Sequence, residues 1–156
     1  MRTGRFERLI KAFDRFHSEL SDASDERLIR LRRTWFAYKR EYPEALRQGV
    51  RKQQLATGLE QGLRELPMLL RSMKPHVRRK AAAAYEAALA SYAPEFIERD
   101  RDRLQRILDR NRIRGESEFH LVRNRIDMLE GRVPAPKELD RLYELVAAFE
   151  VSFRRS

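Results

Sequence analysis

The sequence predicts an all-α fold, a single-domain bundle of six or seven helices over residues 1–156, on three observations. Apolar residues recur at spacings of three and four through most of the chain. Runs of alternating β-branched residues bounded by turns, the signature of strands, are missing, and the six prolines mostly punctuate helical stretches. At 156 residues and 42% hydrophobic, the chain is long enough to bury a core of its own.

The first helix is read from Arg5 to Leu20, where Phe6, Leu9, Ile10, Phe13, Phe16 and Leu20 fall on one side of the helical wheel. His17 follows Asp14 by one turn at the edge of that face. Asp-x-x-His is a metal-ligand spacing, but a bundle site needs matching pairs from facing helices, and the chain holds no second one. A short polar linker, Ser21 to Ser24, implies that the next helix runs back antiparallel to the first.

That second helix, Ser24 to Tyr42, reads as the centre of the fold, with Ser24 as N-cap and Pro43 as its stop. Leu28, Leu31, Trp35, Tyr38 and Tyr42 form one apolar stripe. Ile29 and Phe36 form a second stripe beyond Arg32 and Lys39, bordered also by Arg33 and Arg40. Two stripes imply either a helix packed from two sides or a surface of aromatic and arginine side chains that meets an anionic partner.

After Pro43 the pattern changes phase, which predicts a break, and Thr57 to Glu60 matches a capping box. Gly58 and Gly62 would let another helix approach closely. Leu59, Leu63, Leu66, Leu70 and Met73 form a short seam kinked at Pro67, read as an intramolecular contact. A helix then starts at Pro75 and runs through an alanine-rich stretch to Pro94, with Val77, Ala81, Ala84, Tyr85, Ala88, Leu89 and Tyr92 toward the core. Its first turns carry His76, Arg78, Arg79 and Lys80 just after Lys74, where cations oppose the helix dipole.

Pro94 opens a helix with Phe96, Ile97, Leu104, Ile107 and Leu108 inward and a sign-alternating outer face that compensates itself. Gly115 punctuates the next break. Phe119, Val122, Ile126 and Leu129 define a further helix, on whose outer side Glu116, His120, Arg123 and Asp127 fall together as ordinary surface pairs. The last helix, with Pro136 in its first turn, carries Leu139, Leu142, Tyr143, Val146, Phe149 and Phe153.

Function is read chiefly from charge. The formal net charge is +10, and residues 1–94 hold 20 Lys and Arg against 11 Asp and Glu, a net of +9. Such a field attracts nucleic acid, other polyanions or an acidic protein. The expectation is a non-enzymatic basic binding module for a polyanion such as nucleic acid, contacted by Arg30, Arg32, Arg33, Lys39, Arg40, Lys74, Arg78, Arg79 and Lys80. The alternative is a protein-interaction or regulatory domain that binds an acidic or helical partner, or itself.

With no cysteine, no nucleophile motif and three scattered histidines, the sequence leans away from an enzyme, and no cofactor or metal is expected. The absence of cysteine suits a cytoplasmic setting. The first residues lack the continuous apolar region of a signal peptide, and no apolar run approaches the roughly 20 residues of a transmembrane segment.

Overall fold

The computed structural model describes residues 4–155, so Met1 to Thr3 of the stretch read against a signal peptide lie outside the described residues. Among the described residues there are seven helices and no strand. They divide into two compact helical units, one ending at Ala93 and one beginning at Pro94. The charge asymmetry follows that division, because position 94 is an uncharged proline.

The first unit holds α1 (Arg5–Glu19), α2 (Glu26–Arg47), α3 (Lys52–Leu70) and α4 (Pro75–Tyr92). Its centre is α1, not α2. The backbone of α1 comes close to those of both α4 and α3, whereas α2 meets α1 mainly through large rings. Phe6, Leu9, Phe13 and Phe16 of α1 are buried, and burial of each such side chain is worth about 1.5–3 kcal/mol. Alanine explains the close approach of α4: Ala81, Ala82, Ala84 and Ala88 are all buried, and a methyl group lets two helix backbones come together. Arg8 Nη1 donates to the Tyr92 carbonyl at 3.2 Å, and Lys80 pairs with Asp22 at 3.0 Å, so α1 and α4 run antiparallel. The seam Leu59, Leu63, Leu66, Leu70 and Met73 is buried as expected, with the Tyr85 hydroxyl donating to the Leu63 carbonyl at 3.2 Å.

Several local expectations are corrected. Asp25, not Ser24, caps α2, its carboxylate accepting from the Arg27 and Leu28 N–H groups at 2.9 and 3.3 Å. Pro43 does not stop α2, which continues to Arg47. The stop is Gly49, at φ +98°, where Val50 N–H reaches the Ala45 carbonyl and Gly49 N–H the Leu46 carbonyl. These paired bonds use carbonyls left free at a helix end, and glycine adopts the left-handed backbone they require. The capping box at Thr57 is absent: α3 starts at Lys52, Thr57 lies inside it, and its Oγ1 donates to the Gln53 carbonyl at 3.0 Å. At the true start, Gln54 Oε1 accepts from the Arg51 N–H at 3.1 Å.

The second unit holds α5 (Pro94–Arg110), α6 (Glu116–Glu130) and α7 (Glu138–Arg155). Ile107, Val122, Ile126, Leu129, Leu142 and Val146 lie at the heart of its core, and Phe149 stacks on Phe119 at 5.2 Å. Pro136 precedes the last helix rather than sitting in its first turn. Two side chains expected inward are exposed on α7. Phe153 is 60% exposed, and Tyr143 turns outward to donate its hydroxyl to Glu130 Oε2 at 2.7 Å. Conversely, Asp127, read as a surface group, is buried together with Asn124. No helix among the described residues is long and apolar enough to cross a membrane.

Candidate polyanion-binding surface

The antiparallel α1–α2 pair decides what α2 can offer. Trp35 stacks on Phe13 at 4.9 Å and on Tyr38 at 5.4 Å, and Tyr42 meets the Phe6 ring edge-on at 5.2 Å. These rings turn the first apolar stripe of α2 onto α1. The second stripe is therefore turned outward, and Phe36 is 49% exposed while Ile29 is half-buried. In α2 only Leu28 and Trp35 are fully buried, so the helix is not a strut packed from two sides.

The five basic residues predicted on α2 divide by their partners. Between Phe36 and α1 lie Arg32 and Lys39, and both are engaged. Arg32 Nη1 donates to the Ser21 carbonyl at 2.8 Å and to the Leu20 carbonyl at 3.4 Å, compensating carbonyls at the end of α1. Lys39 Nζ pairs with Asp14 at 2.9 Å, and the same carboxylate oxygen accepts from Trp35 Nε1 at 2.8 Å. On the other side of Phe36, Arg33 and Arg40 are exposed, with Arg30 one turn earlier. Among the described residues no hydrogen bond or ion pair engages these three guanidinium groups.

The cluster at the start of α4 has a tertiary explanation that the helix dipole alone could not supply. Lys80 pairs with Asp22 in the turn between α1 and α2, which holds the Asp22 carboxyl below its usual range. Arg78 Nη1 donates to the Met73 carbonyl at 3.3 Å, just before the helix. Lys74 is exposed and Arg79 half-buried, and neither has such a partner among the described residues. Of the nine predicted positions, then, Arg30, Arg33, Arg40, Lys74 and Arg79 keep their charges uncommitted.

A second feature of this unit is an apolar groove of about 380 Å³ between α2 and α3, floored by Phe13 and His17 of α1 and walled by Trp35, Tyr38, Gly58 and Leu66. Gly58 faces open space, while at Gly62 a side chain would begin 3.4 Å from the Phe13 ring. That ring belongs to α1, whose backbone comes close to that of α3, so a neighbouring helix does approach at Gly62 but not at Gly58. His17 is buried and lies against Phe16 and Trp35. Burial, reinforced by the Arg32 charge and opposed by Asp14, pushes its pKa down to about 4. The imidazole is therefore neutral at pH 7. The Tyr38 hydroxyl is buried without an acceptor among the described residues, and burial raises its pKa.

Asp14 and His17 do not converge on a metal position, since the carboxylate is bound to Trp35 and Lys39. Among the described residues no group of three or more His, Cys, Asp and Glu side chains is placed to hold a metal ion. Glu116 is exposed while Asp127 is buried, so the constellation drawn on α6 does not form one surface. Sequence reading missed the Asp14 hub. Its only signal was a carboxylate beside a predicted apolar face, a position that needs donors.

No family model matches this chain, and neither the curated proteins nor the solved structures give a match.

Proposed function

We propose that this protein is a non-enzymatic binding module for a polyanion, nucleic acid foremost, acting in the cytoplasm, and that the outer face of α2 makes the contact. The observation that carries the reading is the exposed Phe36 beside Arg33 and Arg40, which, like Arg30 further along the helix, are uncommitted among the described residues. Exposed arginines without partners retain their full capacity for phosphate, whereas a cation already bound to a carboxylate must give up that bond first. The net +9 of residues 1–94 supplies the longer-range attraction. Lys74 and Arg79 extend the set of available cations.

The test is binding of a labelled nucleic acid across a salt series. Neutralising three to five phosphates gives a slope of log affinity against log salt of about −2 to −4. Reversing Arg33 and Arg40 to Glu flattens that slope by about two and weakens binding at least tenfold at low salt, with the melting temperature unchanged. Absence of binding at low salt would sink the proposal.

A second reading, a helical or acidic protein partner, draws on the groove and on Met68 and Leu69, which are 49% and 43% exposed on the adjoining helix. It is favoured if Leu69→Asp abolishes recovery of a partner while nucleic-acid binding is absent.

A further inference from the structure

The outer face of α2 combines two chemistries, and only one class of polyanion uses both. Phosphate alone would be served by Arg30, Arg33 and Arg40, and a large exposed apolar ring between Arg33 and Arg40 would add nothing. Phe36 is such a ring, half exposed in the middle of a 22-residue helix. It is also on a rigid base, because its neighbour Trp35 is fixed by the stack on Phe13 and by the hydrogen bond to Asp14. Arg33 and Arg40 lie one turn before and one turn after it, roughly 10 Å apart along the helix axis.

On its other flank Arg32 and Lys39 are held by α1, so cations border the ring on both sides. Thr34 is turned away from this face into the groove between α2 and α3, and position 37 is alanine. The face thus offers a π-surface and charge but little to read a base edge. Toward its C-terminal end it closes on Glu44, which pairs with Arg47 at 3.0 Å.

We infer that this face binds single-stranded nucleic acid, with an unpaired base lying on the Phe36 ring and the adjoining phosphates at Arg33 and Arg40. The inference rests on the polyanion reading and narrows it. A duplex keeps its base faces inside the stack, and inorganic polyphosphate has no ring, so neither can use Phe36. A base of any identity can stack, so sequence preference is weak.

The experiment compares Phe36→Ala, Phe36→Trp and the Arg33→Glu/Arg40→Glu pair on three probes: a labelled single-stranded oligonucleotide, the duplex of the same sequence, and inorganic polyphosphate as competitor. Phe36 is half exposed, and melting temperatures confirm that each variant is folded. The expected result is an approximately tenfold loss of single-strand affinity in Phe36→Ala, within the range that loss of one stacked base gives. Phe36→Trp retains the affinity, and duplex and polyphosphate binding are unmoved by either change. The arginine reversals weaken all three. If no probe binds the unaltered protein, the polyanion reading fails. If all bind but Phe36→Ala leaves the single strand unaffected, or the duplex is preferred, the polyanion reading stands and this inference is overturned.

Discussion

Helices α2 and α4 both carry a dense cluster of basic residues, both pack on α1, and they do so by opposite means. On α4 the contact is built from alanine, which brings its backbone close to α1. There Lys80 reaches Asp22 in the turn between α1 and α2, and Arg78 is consumed locally by the Met73 carbonyl. On α2 the contact is built from Trp35, Tyr38 and Tyr42, and the far side of the helix is left with Arg30, Arg33 and Arg40 uncommitted. A local count of positive charge therefore does not measure availability. Which cations face carboxylates and carbonyls of other segments does, as Arg32 and Lys39 against Arg33 and Arg40 show within α2 itself.

The strongest way to break this contrast is to remove the aromatic support. Trp35→Ala deletes the ring shared by Phe13, His17 and Tyr38 and leaves Asp14 with one donor fewer, so a loss of about 3–5 kcal/mol is expected. Urea unfolding reads that loss. A loss below about 1 kcal/mol would mean that α2 is not held by its rings.

Next comes pH, through the buried His17 beneath the α2 contact. Its folded pKa of about 4 lies below the value near 6.5 in an unfolded chain, so the unfolded state takes up the proton first as pH falls. The stabilising contribution is fully present above about pH 6.5 and is lost on the way down to about pH 4. It amounts to about 3 kcal/mol. Replacing His17 by Gln should flatten the fall in urea midpoint between pH 7 and pH 4.5 relative to the unaltered protein. An unchanged fall would assign the acid sensitivity to carboxylates such as Glu7 and Asp22, which Lys52 and Lys80 hold below their usual range.

The smallest effect sharpens the α4 side. Ala81 is fully buried, and Ala81→Leu forces α4 away from its neighbours at a cost of about 1–3 kcal/mol, read in the melting temperature. Should the variant be neutral, the close packing attributed to alanine would be wrong.

The helices were legible because burial imposes a period. Phe6 to Phe16 on α1 and Leu59 to Met73 beyond it announced buried faces, and the prolines at 75 and 94 marked starts correctly. Ends set by backbone bonding were less legible. Pro43 and Thr57 matched stop and start signals, yet the chain used Gly49 and Arg51, where backbone bonding rather than residue type sets the ends. Tyr143 had the right spacing but found an acceptor outside, and Asp127 had a surface composition but a buried place.

The same division holds for the candidate site. The sequence by itself determined that the fold is all-helical, that the basic charge gathers in the first 94 residues, and that α2 has two apolar stripes, since these are properties of composition and period. Only the tertiary structure decided which stripe is spent on α1, that α1 rather than α2 is the centre, and which cations remain uncommitted. Those outcomes depend on carboxylates and carbonyls contributed by other segments, Asp14, Asp22 and Ser21, whose positions relative to α2 and α4 no local spacing encodes.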